Sequence, residues 1–151
     1  LVEGTEEETI FNMVNAMLFR IHQSGYLGQI GEKRMQYVRE GIACYKKIRE
    51  DIREGIPCWP TGLASMSDEY ISYGLINGGK QYLAVWRTGG EGEKSFEIPL
   101  EGKSGAAAEV SCIYPEKKET SFAVNGNCLT VSLAPKSARL FLVVTETREQ
   151  S

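Results

Sequence analysis

The stretch from Arg39 to Leu63, REGIACYKKIREDIREGIPCWPTGL, is where the chain changes character. Ahead of it apolar residues recur every three or four positions, and beyond Met66 they alternate. A period of 3.6 places apolar groups on one side of a helix, a period of 2 on one side of a strand, and neither pattern suits the other geometry. The chain is thereby committed to an α+β layout, helices first and sheet second. Its 151 residues suffice for one good core, or for a β domain with a helical appendage, but not for two large independent domains. The division falls between a helical segment over 1–62 and a sheet domain over 63–151.

The first helix is announced by Thr5-Glu6-Glu7-Glu8, a capping box in which Thr5 accepts from free amides and Glu8 reaches back. Ile10, Met13, Val14, Met17, Leu18 and Ile21 then form an apolar stripe, which Gly25 is placed to stop. Phe11, Ala16 and Phe19 widen that stripe, so the helix expects cover on more than one side. A second helix starts near Glu32 and carries Met35, Val38, Ile42, Tyr45, Ile48 and Ile52 on one side. Its charges, from Lys46 to Glu54, form a solvated face. Gly55 is expected to stop it in a left-handed conformation, with Pro57 unable to continue it.

Strands are expected over Tyr70–Leu75, Gln81–Arg87, Ser95–Leu100, Ala108–Tyr114, Ser121–Val124, Leu129–Leu133 and Arg139–Thr145. Within the second, Leu83 and Val85 point one way while Tyr82, Ala84 and Trp86 point the other, and both sets are apolar enough to need cover. Asn77-Gly78-Gly79 and Asn125-Gly126 read as hairpin turns. Leu140 to Val144 is apolar at every position, as in a strand covered on both faces. Short strands at close spacing indicate an antiparallel sandwich.

Charge and composition exclude several classes. With 17 basic and 20 acidic side chains and a net charge of −3 spread along the sequence, no block forms a phosphate-binding stripe, so nucleic acid is not expected as a partner. No run approaches the roughly 18 apolar residues of a membrane span. The opening LVEGTEEE lacks the plan of a signal peptide, which points to the cytoplasm. Because the chain starts at Leu1 without an initiator Met, it is expected to be a piece of something longer. Cys44, Cys58, Cys112 and Cys128 make no CxxC or CxxH pair, so they suit free, buried thiols rather than a zinc site.

Few residues offer chemistry. His22 is the sole histidine, and a lone imidazole is more often a packed or surface group than a base. Glycoside hydrolysis needs two carboxyls about 5 to 9.5 Å apart. The acidic neighbours, Glu6-Glu7-Glu8, Glu50-Asp51 and Asp68-Glu69, read instead as a helix N-terminus, a solvated face and a turn. Gly89, Gly90 and Gly92 are hairpin glycines, since no Lys-Ser/Thr follows them. Trp59, Trp86 and the tyrosines suggest either a sugar-stacking platform on the sheet or, preferably, buried area, with Trp86 and Tyr82 facing the helices and Trp59 plugging the junction.

The words ETIFNMVNAMLFRIHQSGYLGQI, EGIACYKKIREDIREGIPCWPTGL, QYLAVWR, VSCIYP and LTVSLAPKSARLFLV carry more than spacing. In this order they resemble the C-terminal end of bacterial, melibiase-like α-galactosidases of glycoside hydrolase family 36, over nearly the whole chain. In that family a (β/α)8 TIM barrel performs catalysis and an antiparallel β-sandwich follows it. The resemblance implies that Thr5 to Gly55 are the last helices of the barrel, with its final strand around Arg20 to Tyr26, and that Leu63 to Thr145 form the sandwich. The family's catalytic aspartates lie on earlier barrel strands, and no position here matches their motifs. The chain by itself is therefore expected to be inactive, with no catalytic residue, cofactor or metal of its own. If the final strand ends near His22, barrel geometry places His22, Gln23 and Ser24 at the substrate rim. The sequence departs from the family pattern at Gly28 and Gly31, where relatives are expected to be less flexible.

The resemblance also implies partners: the catalytic barrel of the same parent chain, and a galactoside met only through that parent. Apart from the barrel, the first helix would leave Met13, Val14 and Met17 uncovered, so either self-association or a helix folded back on the sandwich is expected. The competing class is an independent carbohydrate-binding sandwich module, which requires Trp86 and Tyr82 on an open sheet face.

Overall fold

The computed structural model describes residues 3–19, 21, 27–101 and 108–145. Among these, the chain forms two α-helices, α1 (Glu6–Met17) and α2 (Glu32–Glu54), and eight strands. The strands are β1 (Ile56–Cys58), β2 (Tyr70–Asn77), β3 (Lys80–Arg87), β4 (Ser95–Pro99), β5 (Ala108–Tyr114), β6 (Ser121–Asn125), β7 (Cys128–Ser132) and β8 (Ser137–Thr145). All pairings are antiparallel, in a five-stranded sheet ordered β1-β2-β3-β8-β5 and a three-stranded sheet ordered β4-β7-β6. The fold is α+β: N-terminal helices followed by an antiparallel β-sandwich.

Three layers result, with the large sheet in the middle. Tyr82, Ala84, Trp86, Ala138 and Leu140 face the helices, while Leu83, Val85, Phe141 and Val143 face the small sheet. The alternation in β3 sorts its side chains to the two faces as expected, and both faces are covered. That double burial is why β3 and β8 read as nearly continuous apolar runs. Turns follow the glycines: Asn77 pairs with Lys80 across Gly78, at φ +60°, and Asn125 pairs with Cys128 across Gly126, also at φ +60°.

At its start α1 has both halves of its capping box, Thr5 N–H donating to Glu8 Oε2 at 2.7 Å and Glu8 N–H to Thr5 Oγ1 at 3.2 Å. It ends at Met17, earlier than Gly25, which lies outside the described residues. The last turn tightens through a Phe19 N–H bond to the Ala16 carbonyl. Of the expected barrel strand Arg20 to Tyr26, only Ile21 is described, and it belongs to no strand.

The α1 stripe needs no outside cover. Ile10, Met13, Val14, Met17 and Leu18 are buried against α2 and the large sheet, which is the folded-back alternative. On α2 the buried line is Val38, Gly41, Cys44 and Ile48, with Met35, Ile42, Tyr45 and Ile52 half-buried beside it. Gly41 is a contact point, because a Cβ there would lie 2.6 Å from Met13 Cε and 3.3 Å from the Tyr114 ring.

Gly55 corrects one expectation. Its φ is −72° and ψ 149°, so it is extended rather than left-handed. Space, not handedness, explains the residue: a Cβ would meet the Leu75 Cβ and the Asp51 carbonyl at 3.0 Å. The chain leaves α2 straight into β1, which pairs with β2 through Ile56↔Ile76 and Cys58↔Gly74.

Candidate functional site

His22, Gln23 and Ser24 lie outside the described residues, so the rim assigned to them has no geometry to report. The carboxylate groups are placed, and each has a structural occupation. Glu7 takes a forked pair of bonds from Arg139, at 2.9 and 3.1 Å, and an ion pair with Lys118 at 3.1 Å. Burial alone raises its pKa, but Arg139 and Lys118 outweigh burial and hold it below the ordinary 4.5. Asp51 is held below the usual carboxylate range by the Tyr82 hydroxyl first, then by Asn77 and Lys80. Glu50 pairs with Arg53, Glu69 with Lys94, and Asp68 caps the Ser65 amide.

One cleft, of about 250 Å³, brings Glu3 and Glu8 together beside Phe11, Arg34, Thr88 and Lys136. Both carboxylates are exposed, and Glu8 is committed to the helix cap. Among the described residues no group of three or more His, Cys, Asp or Glu side chains is placed to hold a metal ion. No described helix is long and apolar enough to cross a membrane.

Trp86 and Tyr82 are buried under the helices, so they form no open sugar platform on the sheet. The Tyr82 hydroxyl instead bonds Asp51, tying β3 to α2. An aromatic cluster that sequence reasoning missed lies at the β1 edge of the large sheet. Phe19 stacks on Tyr73 with centroids 5.3 Å apart and planes at 12°, and Trp59 meets the same ring edge-on at 5.6 Å. Trp59 stays about half exposed rather than plugging the junction. Beside Phe19 runs an open groove lined by Leu18, Tyr45, Arg49 and Ile52. The available signal was the run from Ile56 to Ser67, twelve residues without a charge between Glu54 and Asp68.

A buried cation closes one end of the sandwich. The Arg87 guanidinium is fully buried and donates to the carbonyls of Gly89, Glu91, Gly92 and Leu133, at 2.6 to 3.2 Å. It also sits 5.5 Å above the Tyr70 ring, whose hydroxyl donates to the Lys94 carbonyl and accepts from the Leu133 amide. These bonds fix the β3–β4 loop to the β7–β8 connection. With the side chain fully buried and four of its N–H groups on loop carbonyls, the group organises loops.

No family model matches the chain, and no curated protein sequence matches it. Among solved structures, the galactosidase domain of an alpha-galactosidase-sucrose kinase superposes with a TM-score of 0.54 at 18% identity, over 78% of this chain. This chain spans 17% of that one. The likeness is one of fold. An isomaltulose synthase mutant from Erwinia rhapontici NX5 aligns at TM-score 0.47 and 17% identity, over 74% of this chain and 18% of that one. A glycoside hydrolase family 30 subfamily 8 xylanase from Clostridium acetobutylicum aligns at 0.48 and 10%, over 94% and 40%. At those scores neither adds to the argument.

Proposed function

We propose that this chain is the non-catalytic C-terminal part of an α-galactosidase-like glycoside hydrolase. Residues 1–62 close the catalytic barrel of the parent, and residues 63–151 form the sandwich that stabilises it. The reading is carried by one observation. The helix-plus-sandwich unit that the sequence words single out is also the unit that aligns, over most of its length, with a galactosidase domain. Substrate, a terminal α-galactoside, reaches this part of the molecule only through the barrel, with His22, Gln23 and Ser24 at its rim. No cofactor takes part. The free thiols Cys44, Cys58, Cys112 and Cys128 suit a reducing cytoplasm.

The role is mechanical. The sheet buries the apolar stripe of α1, whose five core residues would otherwise each expose side-chain surface worth about 1.5–3 kcal/mol. Helices held in this way can present a fixed outer surface to a barrel. Turnover of an aryl α-galactoside by the isolated chain tests the reading, with galactose binding followed by calorimetry as a second readout. The expected result is neither turnover nor binding, whereas catalysis by this chain alone overturns the proposal.

A further inference from the structure

Two Asn-Gly steps turn hairpins in this chain, and the fold holds them differently. In each, the asparagine closes the last strand pair, Asn77↔Lys80 or Asn125↔Cys128, and the glycine takes the first turn position at φ +60°. Without a Cβ, a glycine leaves its own amide nitrogen unshielded. Closure of that nitrogen onto the asparagine side chain needs the asparagine ψ to leave its strand value, so the strand end must first open locally. Asn77 resists on both counts. Its Nδ2 donates to Asp51 Oδ1 at 2.9 Å, which aims the amide at α2, and β2 lies inside the large sheet between β1 and β3. The Thr145 N–H pins the same turn through the Gly79 carbonyl at 2.9 Å. Asn125 has neither protection. Its side chain is exposed and makes no hydrogen bond among the described residues, and β6 is an edge strand with four of its five residues exposed. Beyond the ladder, one bond reaches this turn, from the Leu100 N–H to the Asn127 carbonyl at 2.7 Å, on the far side of the Asn125–Gly126 step.

We propose that Asn125 is a site of spontaneous deamidation, from which Asn77 is protected by its bond to Asp51 and its place inside the sheet. The Gly126 amide nitrogen gives its proton to solvent base and attacks Asn125 Cγ. The Cγ–Nδ2 bond then breaks, and Nδ2 takes up a proton and leaves as ammonia, so that a five-membered succinimide remains. Water opens this ring in one of two ways. Attack at Cγ restores the ordinary chain and gives aspartate, while attack at the main-chain carbonyl carbon routes the chain through Cγ and gives isoaspartate. Nothing is oxidised or reduced, and water is the one co-reactant. Either product puts a new carboxylate at the hairpin tip. Isoaspartate also adds a methylene to the backbone, which disrupts the Asn125↔Cys128 pair and draws the Asn127 carbonyl away from Leu100. This inference is independent of the parent's activity.

The test holds the full folded chain in mildly alkaline buffer and samples it over time for tryptic mass analysis. The peptide 119–136, cut free at Lys118 and Lys136, should gain the mass difference between an amide and a carboxyl. Fragmentation should place that gain at Asn125 and resolve it into aspartate and isoaspartate forms. The peptide 54–80, which carries Asn77, should keep its mass over the same period. In urea both peptides should convert, since the unfolded chain holds neither asparagine. Asn125→Gln should abolish the gain in 119–136 while circular dichroism stays unchanged, because the longer side chain does not close the five-membered ring. An unchanged mass at Asn125 in the folded chain overturns the proposal, whatever urea releases. Equal conversion of Asn77 and Asn125 in the folded chain overturns it too, as does a gain in 119–136 that survives Asn125→Gln.

Discussion

At the scale of single residues, buried polar and absent side chains set the tightest constraints. Arg87 is fully buried and donates to four backbone carbonyls, so truncating it removes all four bonds, leaves the buried Leu133 carbonyl without this donor and opens a void beneath the β3–β4 loop. Arg87→Ala is expected to lower the unfolding free energy by about 3 kcal/mol, measured by urea titration. Arg87→Lys should recover only a minor part, because one ammonium cannot reach four acceptors spread around a planar fork. Gly74 is constrained by space. A Cβ there would sit 2.7 Å from the Tyr82 carbonyl oxygen and 3.0 Å from Cys58 Sγ, where β1, β2 and β3 come together. Backbone on an adjacent strand cannot yield as a flexible side-chain end can. Gly74→Ala should therefore cost about 2 kcal/mol, despite the smaller entropy of the unfolded chain, and unchanged stability would refute the close approach.

At the scale of elements, the attachment of α1 is the step that turns a helix pair and a sheet into one body. Its apolar stripe supplies the area, and Glu7 fixes the direction by gripping Arg139, which is itself almost wholly buried. Since the folded pKa of Glu7 is depressed, its contribution is complete above the unfolded value and disappears as pH falls through the folded one. Glu7→Gln should destabilise the chain by about 1–2 kcal/mol at neutral pH. That gap should close as pH falls through the lowered folded pKa of Glu7, as read from urea melts at neutral and at acidic pH. A gap that persists in acid would mean that the Glu7 charge contributes nothing.

Much of this level was legible in the sequence. The capping box at Thr5, the alternation through Leu83 and Trp86, and the hairpin glycines Gly78 and Gly126 each have a local cause, and local causes are written in neighbouring residues. What was hidden depends on distant partners. The strand Ile56–Cys58 exists because β2 offers an edge, and three residues with a proline carry no period of their own. The line Val38, Gly41, Cys44, Ile48 is chosen by what α1 and Tyr114 leave room for, whereas hydropathy alone favours the line through Met35 and Ile42. The knot around Arg87 could not be read at all, since its acceptors are backbone carbonyls that any residue supplies. Of the acidic neighbours, Glu6-Glu7-Glu8 opens a helix as expected, while Asp51, expected on a solvated face, is half-buried and bonded to Tyr82 and Asn77. The cluster of Phe19, Tyr73 and Trp59 escaped because its members come from three separated segments.

At the scale of the whole molecule, the large sheet is sandwiched between helices and a smaller sheet, and both of its faces are used for packing. Among the described residues both faces of this sheet are packed, and Glu7, Asp51 and Glu69 are held by ion pairs or hydrogen bonds. The most direct test is the sequence of the full-length transcript read upstream of Leu1. The account predicts an in-frame (β/α)8 barrel whose strands end in a pair of aspartates, running directly into Thr5 and α1. A stop codon at that point, or an unrelated domain, would contradict it.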